Sequence, residues 1–336
     1  CIQRGIQFIT LPLYTRILTT AEYGTYTVFV TWFNIFSILC TLNVYQGVFN
    51  NAMMKYESDR RGFLSSVQSL CTCITIAVLG ISLIVNEITD GMAGLTSVQI
   101  FLIGVQVIGF LPIQLWSSFE RFEYRYKTLL LVTIGIALST PVAIVAGVLL
   151  MPEDKALGAI IGSVLVQFAF GICVYVRNLQ LGRCVFKKEY WAYALRFNVP
   201  LLPHYLAVLI LAQVNRIMID GLCGADAAGI YSLAHQISLA LNVVITGVNA
   251  SFVPWTYRIL AKKQYDKLRS VSIKLVIAMA TIALALVLLS PEIIGLAGGS
   301  EYNEAVWVMP PIIISTFFTF VYTLFVNVEF FYEKKF

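Results

Sequence analysis

The residues of this chain best equipped for chemistry are a few cations and amides set inside long apolar runs. Arg4 stands in Cys-Ile-Gln-Arg-Gly-Ile-Gln-Phe-Ile, and Arg16 follows twelve residues later; His204 and Arg216 repeat that spacing. An ionised side chain in an apolar medium is costly, and one kept there marks an anion site or a buried partner. Twelve helical residues rise about 18 Å, so an Arg16 at one membrane face places Arg4 past the midplane. His204 falls at the equivalent depth. Its imidazole titrates near neutral pH, as a proton site or anion contact would. The competing reading is a packing histidine beside Pro200 and Pro203, whose freed carbonyls need donors. Arg216, with Arg16, reads as an interfacial anchor first and a ligand second. Amides form two further sets. Asn43, Gln46 and Asn50 recur at i, i+3 and i+7, and His235, Asn242 and Asn249 at seven-residue intervals. Each set would lie along one helix stripe, and polar stripes in a membrane must face protein or water. They would line a cavity for a hydroxyl-rich ligand, or they would join neighbouring helices.

Other chemistries find little support. The seven cysteines fall mostly inside apolar runs, Cys71-x-Cys73 has neither redox nor zinc spacing, and two histidines are too few for a metal cluster. There is no nucleophile constellation and no phosphate-cradling loop, so no catalytic residue is assigned. Of the 336 residues, 59% are hydrophobic and 12% charged, with a mean hydropathy of +0.81. A soluble protein carries about 25% charge, so this composition excludes one, and its apolar surface excludes disorder. The chain reads as an all-α, polytopic membrane protein.

Ten segments are apolar over the roughly 20 residues a spanning helix needs: 1–18, 25–52, 63–86, 96–118, 128–151, 157–178, 196–219, 228–252, 271–290 and 305–331. A β-barrel is excluded because the runs are too long and do not alternate. Most of the 23 lysines and arginines fall in loops after even-numbered spans, among them Lys55 to Arg61, Arg121 to Lys127, Arg183 to Arg196 and Arg258 to Arg269. The intervening loops, such as Asn86 to Asp90, are acidic or neutral. By the positive-inside rule the basic loops and both ends are cytoplasmic. The sequence divides into an N-terminal bundle over 1–180 with six helices, a cytoplasmic linker over 181–195, and a bundle over 196–336 with four. The abrupt ends read as those of a fragment whose parent has 12 to 14 helices. Membrane lipids are expected partners, the basic loops meeting anionic headgroups. Nucleic acid is not, since no folded basic module is present.

An internal repeat supports the division. Arg16-Ile recurs as Arg216-Ile, Gly24-x-Tyr26 as Gly229-x-Tyr231, and Tyr56-Glu57 as Tyr265-Asp266. Six helices separate the copies, so the halves enter the membrane from the same side, a parallel repeat of the kind whose interface holds a transporter's substrate path.

The stretch Leu11-Pro-Leu-Tyr-Thr-Arg-Ile-Leu-Thr-Thr-Ala-Glu-Tyr-Gly-Thr-Tyr26 resembles the first helix and loop of the Wzx-type oligosaccharide flippases. These belong to the MOP exporter superfamily, with the MATE drug antiporters and the lipid II flippases. Pro200 to His204, Asn215 to Ile219 and Ala228 to Tyr231 resemble the family's seventh-helix region, and Phe331-Tyr-Glu-Lys-Lys335 the basic stop after its tenth helix. Many relatives carry an acid where this chain has Asn215, which removes that acid from any ion coupling here. The resemblance implies a bacterial inner-membrane flippase of the MATE type. It implies transfer of an isoprenoid pyrophosphate-linked oligosaccharide to the outer leaflet by alternating access, for O-antigen, capsule or exopolysaccharide synthesis. Coupling to a proton or sodium gradient, no bound cofactor, and a polymerase and glycosyltransferases of the same pathway as partners are part of the same implication. A MATE-like antiporter of cations is the first rival, disfavoured because no Asp or Glu lies deep in a span. A membrane-embedded polymerase or ligase is the second, disfavoured by the short outer loops.

Overall fold

A computed structural model describes residues 2–46, 48–89 and 94–332, with residues 2–5 and 7–9 described by their backbone alone. Thirteen α-helices follow one another: α1 (Ile2–Ile17), α2 (Thr20–Thr41), α3 (Phe49–Lys55), α4 (Arg60–Ile88), α5 (Ser97–Phe122), α6 (Tyr126–Leu150), α7 (Lys155–Gly182), α8 (Lys188–Asn198), α9 (Leu202–Cys223), α10 (Ala225–Ala261), α11 (Tyr265–Leu288), α12 (Ser290–Gly298) and α13 (Ala305–Phe331). Among the described residues, nine helices are long and apolar enough to cross a membrane, and α1 adds a shorter tenth at the position of the first expected span. Among the described residues the fold is all-α, as the long, non-alternating apolar runs predict.

The helix starts follow from local chemistry. Thr19 caps α2 by accepting from the Glu22 amide while the Glu22 carboxylate accepts from the Thr19 amide at 2.8 Å. Thr96 and Gln99 make the same reciprocal pair at the start of α5. Two otherwise orphaned N–H groups are satisfied at each end.

One expected span is corrected. The run 25–52 is not a single helix: α2 stops at Thr41, Leu42 and Asn43 adopt left-handed φ values of 50° and 51°, and α3 restarts at Phe49. Asn tolerates this region better than most residues, and Leu does not. The break persists because it buries Leu42, Val44, Val48 and Phe49 against Leu111, Leu115 and Phe119 of α5. Asn43, Gln46 and Asn50 therefore do not share a helical stripe.

The chain forms two compact units, Cys1–Ala228 and Gly229–Phe336. In the first, α6 and α7 make the closest pair. Buried Ala137, Pro141, Ile144 and Val148 form one stripe of α6, and α7 meets it with small residues. A Cβ added at Gly147 would lie 2.1 Å from the Gly158 carbonyl oxygen, and one at Gly158 would lie 2.4 Å from that of Gly147. Glycine is required there because the two backbones touch. A second core joins Phe29 and Phe33 of α2 with Ile100, Ile103 and Val107 of α5 and Ile160 of α7. The segment 181–195, expected as a linker, ends α7 and carries most of α8. Tyr190, Ala194 and Asn198 recur every four residues as the buried stripe of α8, which packs against α4. In the second unit α11 and α12 pack on α13, around buried Met309, Ile313 and Phe320.

Candidate functional site

The break after α2 and the end of α5 together line an open cleft of about 980 Å³, at the upper end of the range for small-molecule sites. Gln46 and Asn50 line one side; Gln114, Ser118 and Arg121, at i, i+4 and i+7, line the other from one stripe of α5. Tyr45, Phe122 and Tyr124 supply aromatic faces. The parts are tied together. The Ser118 hydroxyl donates to the Tyr45 carbonyl at 3.0 Å, and the Arg121 guanidinium donates to the Ser118 oxygen at 3.1 Å. Tyr45 is held in turn by an edge-on contact with Phe110, centroids 5.9 Å apart.

Electrostatics single out Arg121. Glu123 engages Arg60 at 3.0 Å and Arg125 at 3.7 Å, and Arg60 also donates to the Met53 carbonyl. Among the described residues no carboxylate lies within 4 Å of Arg121, and no Asp or Glu lines the pocket. The pocket thus offers amides, a hydroxyl, flat aromatic faces and one guanidinium without a counter-charge. Such a set suits a hydroxyl-rich ligand bearing an anion.

The residues singled out from sequence are distributed as follows. Gln46 and Asn50 reach the pocket; Asn43, 3% exposed, sits behind it and forms the left-handed turn. His204 is exposed in the first turn of α9; the expected break is present, as a 3-10 turn over Val199–Leu201 that holds Pro200 and separates α8 from α9, with Pro203 at a position whose N–H needs no helical partner. Arg216 is half-buried on α9, within electrostatic reach of Tyr23 on α2. Between the same two helices Asn34 donates to Gln213 at 3.0 Å, and Thr20 hydrogen-bonds Asp226 just beyond α9. His235, Asn242 and Asn249 do share α10, all half-buried; Asn249 donates to Thr323 of α13 at 3.4 Å, which is the helix-joining use of an amide. The side chain of Arg4 lies outside the described residues. Among the described residues no group of three His, Cys, Asp or Glu side chains is placed to hold a metal ion. Gln114, Ser118 and Arg121 were the residues that sequence reasoning missed; a polar stripe closing the fourth span was the available signal.

A family model for polysaccharide biosynthesis proteins matches residues 1–260. The chain belongs to that family. Its sequence is also 23% identical to the Lsg locus putative protein 1 of Haemophilus influenzae over 339 residues, 98% of this chain and 82% of that protein. Among solved structures, the inward-facing conformation of a multidrug resistance MATE family transporter of the MOP superfamily matches with a TM-score of 0.58, at 11% identity, over 97% of this chain and 84% of that one. At that identity the likeness shows the fold, which is the MATE fold that the family resemblance implies. The resemblance to the Wzx-type branch of the MOP superfamily is borne out by family and fold together. The chain is a multi-pass membrane protein of the polysaccharide biosynthesis family with the fold of a MATE transporter.

Proposed function

We propose that this protein flips an isoprenoid pyrophosphate-linked oligosaccharide from the inner to the outer leaflet of a bacterial cytoplasmic membrane, for assembly of a surface polysaccharide. The observation that carries the reading is the pocket between the α2 break and α5. It opens among the basic loops, the side that the positive-inside rule makes cytoplasmic, where such a substrate is built. Its amides match sugar hydroxyls in kind, its guanidinium matches a phosphate, and it lacks the carboxylates that a cation antiporter needs. The lipid tail has the apolar outer faces of the helices to run along, such as exposed Leu131, Leu138, Val142 and Leu149 of α6. Transfer proceeds by alternating access driven by a proton or sodium gradient, and a polymerase and glycosyltransferases of the pathway use the product and supply the substrate. Arg4, His204, Arg216, His235 and Asn242 are proposed contacts along the path.

Inactivating the gene tests this. Surface polysaccharide is expected to be lost while lipid-linked repeat units accumulate in the cytoplasmic leaflet. Unchanged polysaccharide with altered tolerance to cationic drugs would favour the antiporter.

A further inference from the structure

We infer that Arg121 is the residue of this pocket that binds the phosphate of the substrate headgroup, and that Ser118 is a positioning residue for it; the inference rests on the flippase reading above. Four arginines lie at the end of α5 and the start of α4: Glu123 pairs with Arg60 and Arg125, and Arg61 lines a separate small cavity with Trp116 and Glu120. Arg121 is exposed and reaches the pocket, where no carboxylate among the described residues competes for it. A guanidinium has five N–H donors, and the Ser118 contact occupies one of them, so the fork remains able to hold a phosphate with two parallel bonds. The Ser118 hydroxyl is itself fixed, because its proton is given to the Tyr45 carbonyl and only its lone pairs face the arginine. The bend after α2 thereby sets the arginine through two hydrogen bonds. This gives the irregular segment 42–46 a use beyond packing. Gln46, Asn50 and Gln114 flank the same space, so a sugar joined to that phosphate has amides within the pocket. The class of ligand is a glycosyl phosphate or diphosphate. One uncompensated cation at this site points to a single phosphate group read here, with the rest of the headgroup held by neutral contacts.

The experiment uses the complete protein in phosphatidylcholine nanodiscs and calorimetric titration with three probes: inorganic pyrophosphate, a short-chain isoprenyl diphosphate carrying N-acetylglucosamine, and the corresponding glycoside without phosphate. The glycosylated diphosphate is expected to bind tightest and the phosphate-free glycoside weakest. Arg121→Gln is expected to weaken the glycosylated diphosphate by about 10- to 100-fold, the scale of a lost charged hydrogen-bond pair, and to leave the phosphate-free glycoside unchanged. Ser118→Ala, which keeps the charge, should cost a few-fold for the phosphorylated probes only, with Ser118→Thr restoring it. Arg125→Gln, a paired guanidinium outside the pocket, should change nothing and reports on general charge effects. Binding of the glycosylated diphosphate that Arg121→Gln leaves intact would overturn the assignment of Arg121 and spare the flippase reading. Failure of the wild-type protein to bind either phosphorylated probe would overturn both. Pyrophosphate binding tighter than the glycosylated form would overturn the sugar half of the assignment.

Discussion

The contact between α6 and α7 yields the sharpest structural prediction. A Cβ placed at Gly158 would stand 2.4 Å from the Gly147 oxygen, and one at Gly147 would stand 2.1 Å from the Gly158 oxygen. An ordinary carbon–oxygen approach at a helix interface is about 3.3–3.6 Å, so Gly158→Ala forces the helices apart by about 1 Å. Neither obstacle is a flexible side chain; both are backbone, and Gly162 faces the Ala143 carbonyl in the same way at 2.2 Å. Overpacking of this kind costs about 1–3 kcal/mol, partly because a gap of 0.5–1 Å forfeits about a quarter to a half of each dispersion contact. Gly147→Ala should cost a similar amount. The double variant should cost less than the sum, since one retreat makes room for both methyl groups. Gly80 is the control: nothing lies within 4 Å of its added Cβ, so Gly80→Ala should be neutral or slightly stabilising. Thermal unfolding in detergent, followed by tryptophan fluorescence, measures all four, at about 2–4 °C per kcal/mol for a unit of this size. A Gly158→Ala protein that melts like wild type, or a double variant whose losses add fully, would refute the backbone-contact argument.

Three other outcomes follow from the same geometry. Asn34 and Gln213 hydrogen-bond between α2 and α9, and α9 has no fully buried residue of its own; joining cysteines at 34 and 213 with a reducible bifunctional reagent should arrest transport, and reduction should restore it. Tyr190, buried, donates to Asp59 at 2.7 Å and accepts from Lys187 at 2.8 Å, so Tyr190→Phe should loosen α8 by about 1–2 kcal/mol after allowance for the half-exposed carboxylate, read as faster proteolysis within 183–187. The hydrogen bond to Tyr190 raises the Lys187 pKa above its ordinary value; a raised lysine stabilises the folded state below the unfolded pKa and ceases to do so as pH passes the folded one, so that protection should hold at neutral pH and fade only under strongly alkaline conditions. Asn249→Leu removes the bond to Thr323 and should cost about 0.6 kcal/mol, the mean for such contacts in a membrane, with transport retained; lost transport at normal stability would make Asn249 a substrate contact.

Much of the fold was legible because a membrane simplifies the physics. Length and apolarity alone located the spans, and the charge asymmetry of the loops agreed with their number. The repeated motifs also fall on comparable ground, since Arg16 and Arg216 lie on the helices that precede two helix–helix junctions, while Gly24 and Gly229 fall in the second turn of the helices that follow. What escaped was the bend after α2 and the separate helix α8. Asn43 in the run through Leu42-Asn43-Val44 read as one member of a helical amide stripe, so it did not announce that burial against α5 would bend the chain there. The helix α8 was hidden in a basic segment, although Tyr190, Ala194 and Asn198 carry a regular spacing. Half of the pocket was visible as Gln46 and Asn50. The other half was not, because Gln114 and Ser118 resemble ordinary helix-joining residues and Arg121 was counted only as a topological charge.

The reading stands or falls on whether a phosphorylated glycolipid crosses the bilayer through this protein. The complete protein, reconstituted into liposomes loaded with a fluorescent isoprenyl diphosphate oligosaccharide in the inner leaflet, tests it directly when an ion gradient is imposed and an impermeant quencher is added outside. Gradient-dependent quenching that Arg121→Gln suppresses is expected. Quenching no faster than in protein-free liposomes, with efflux of a cationic dye from the same vesicles, would contradict it.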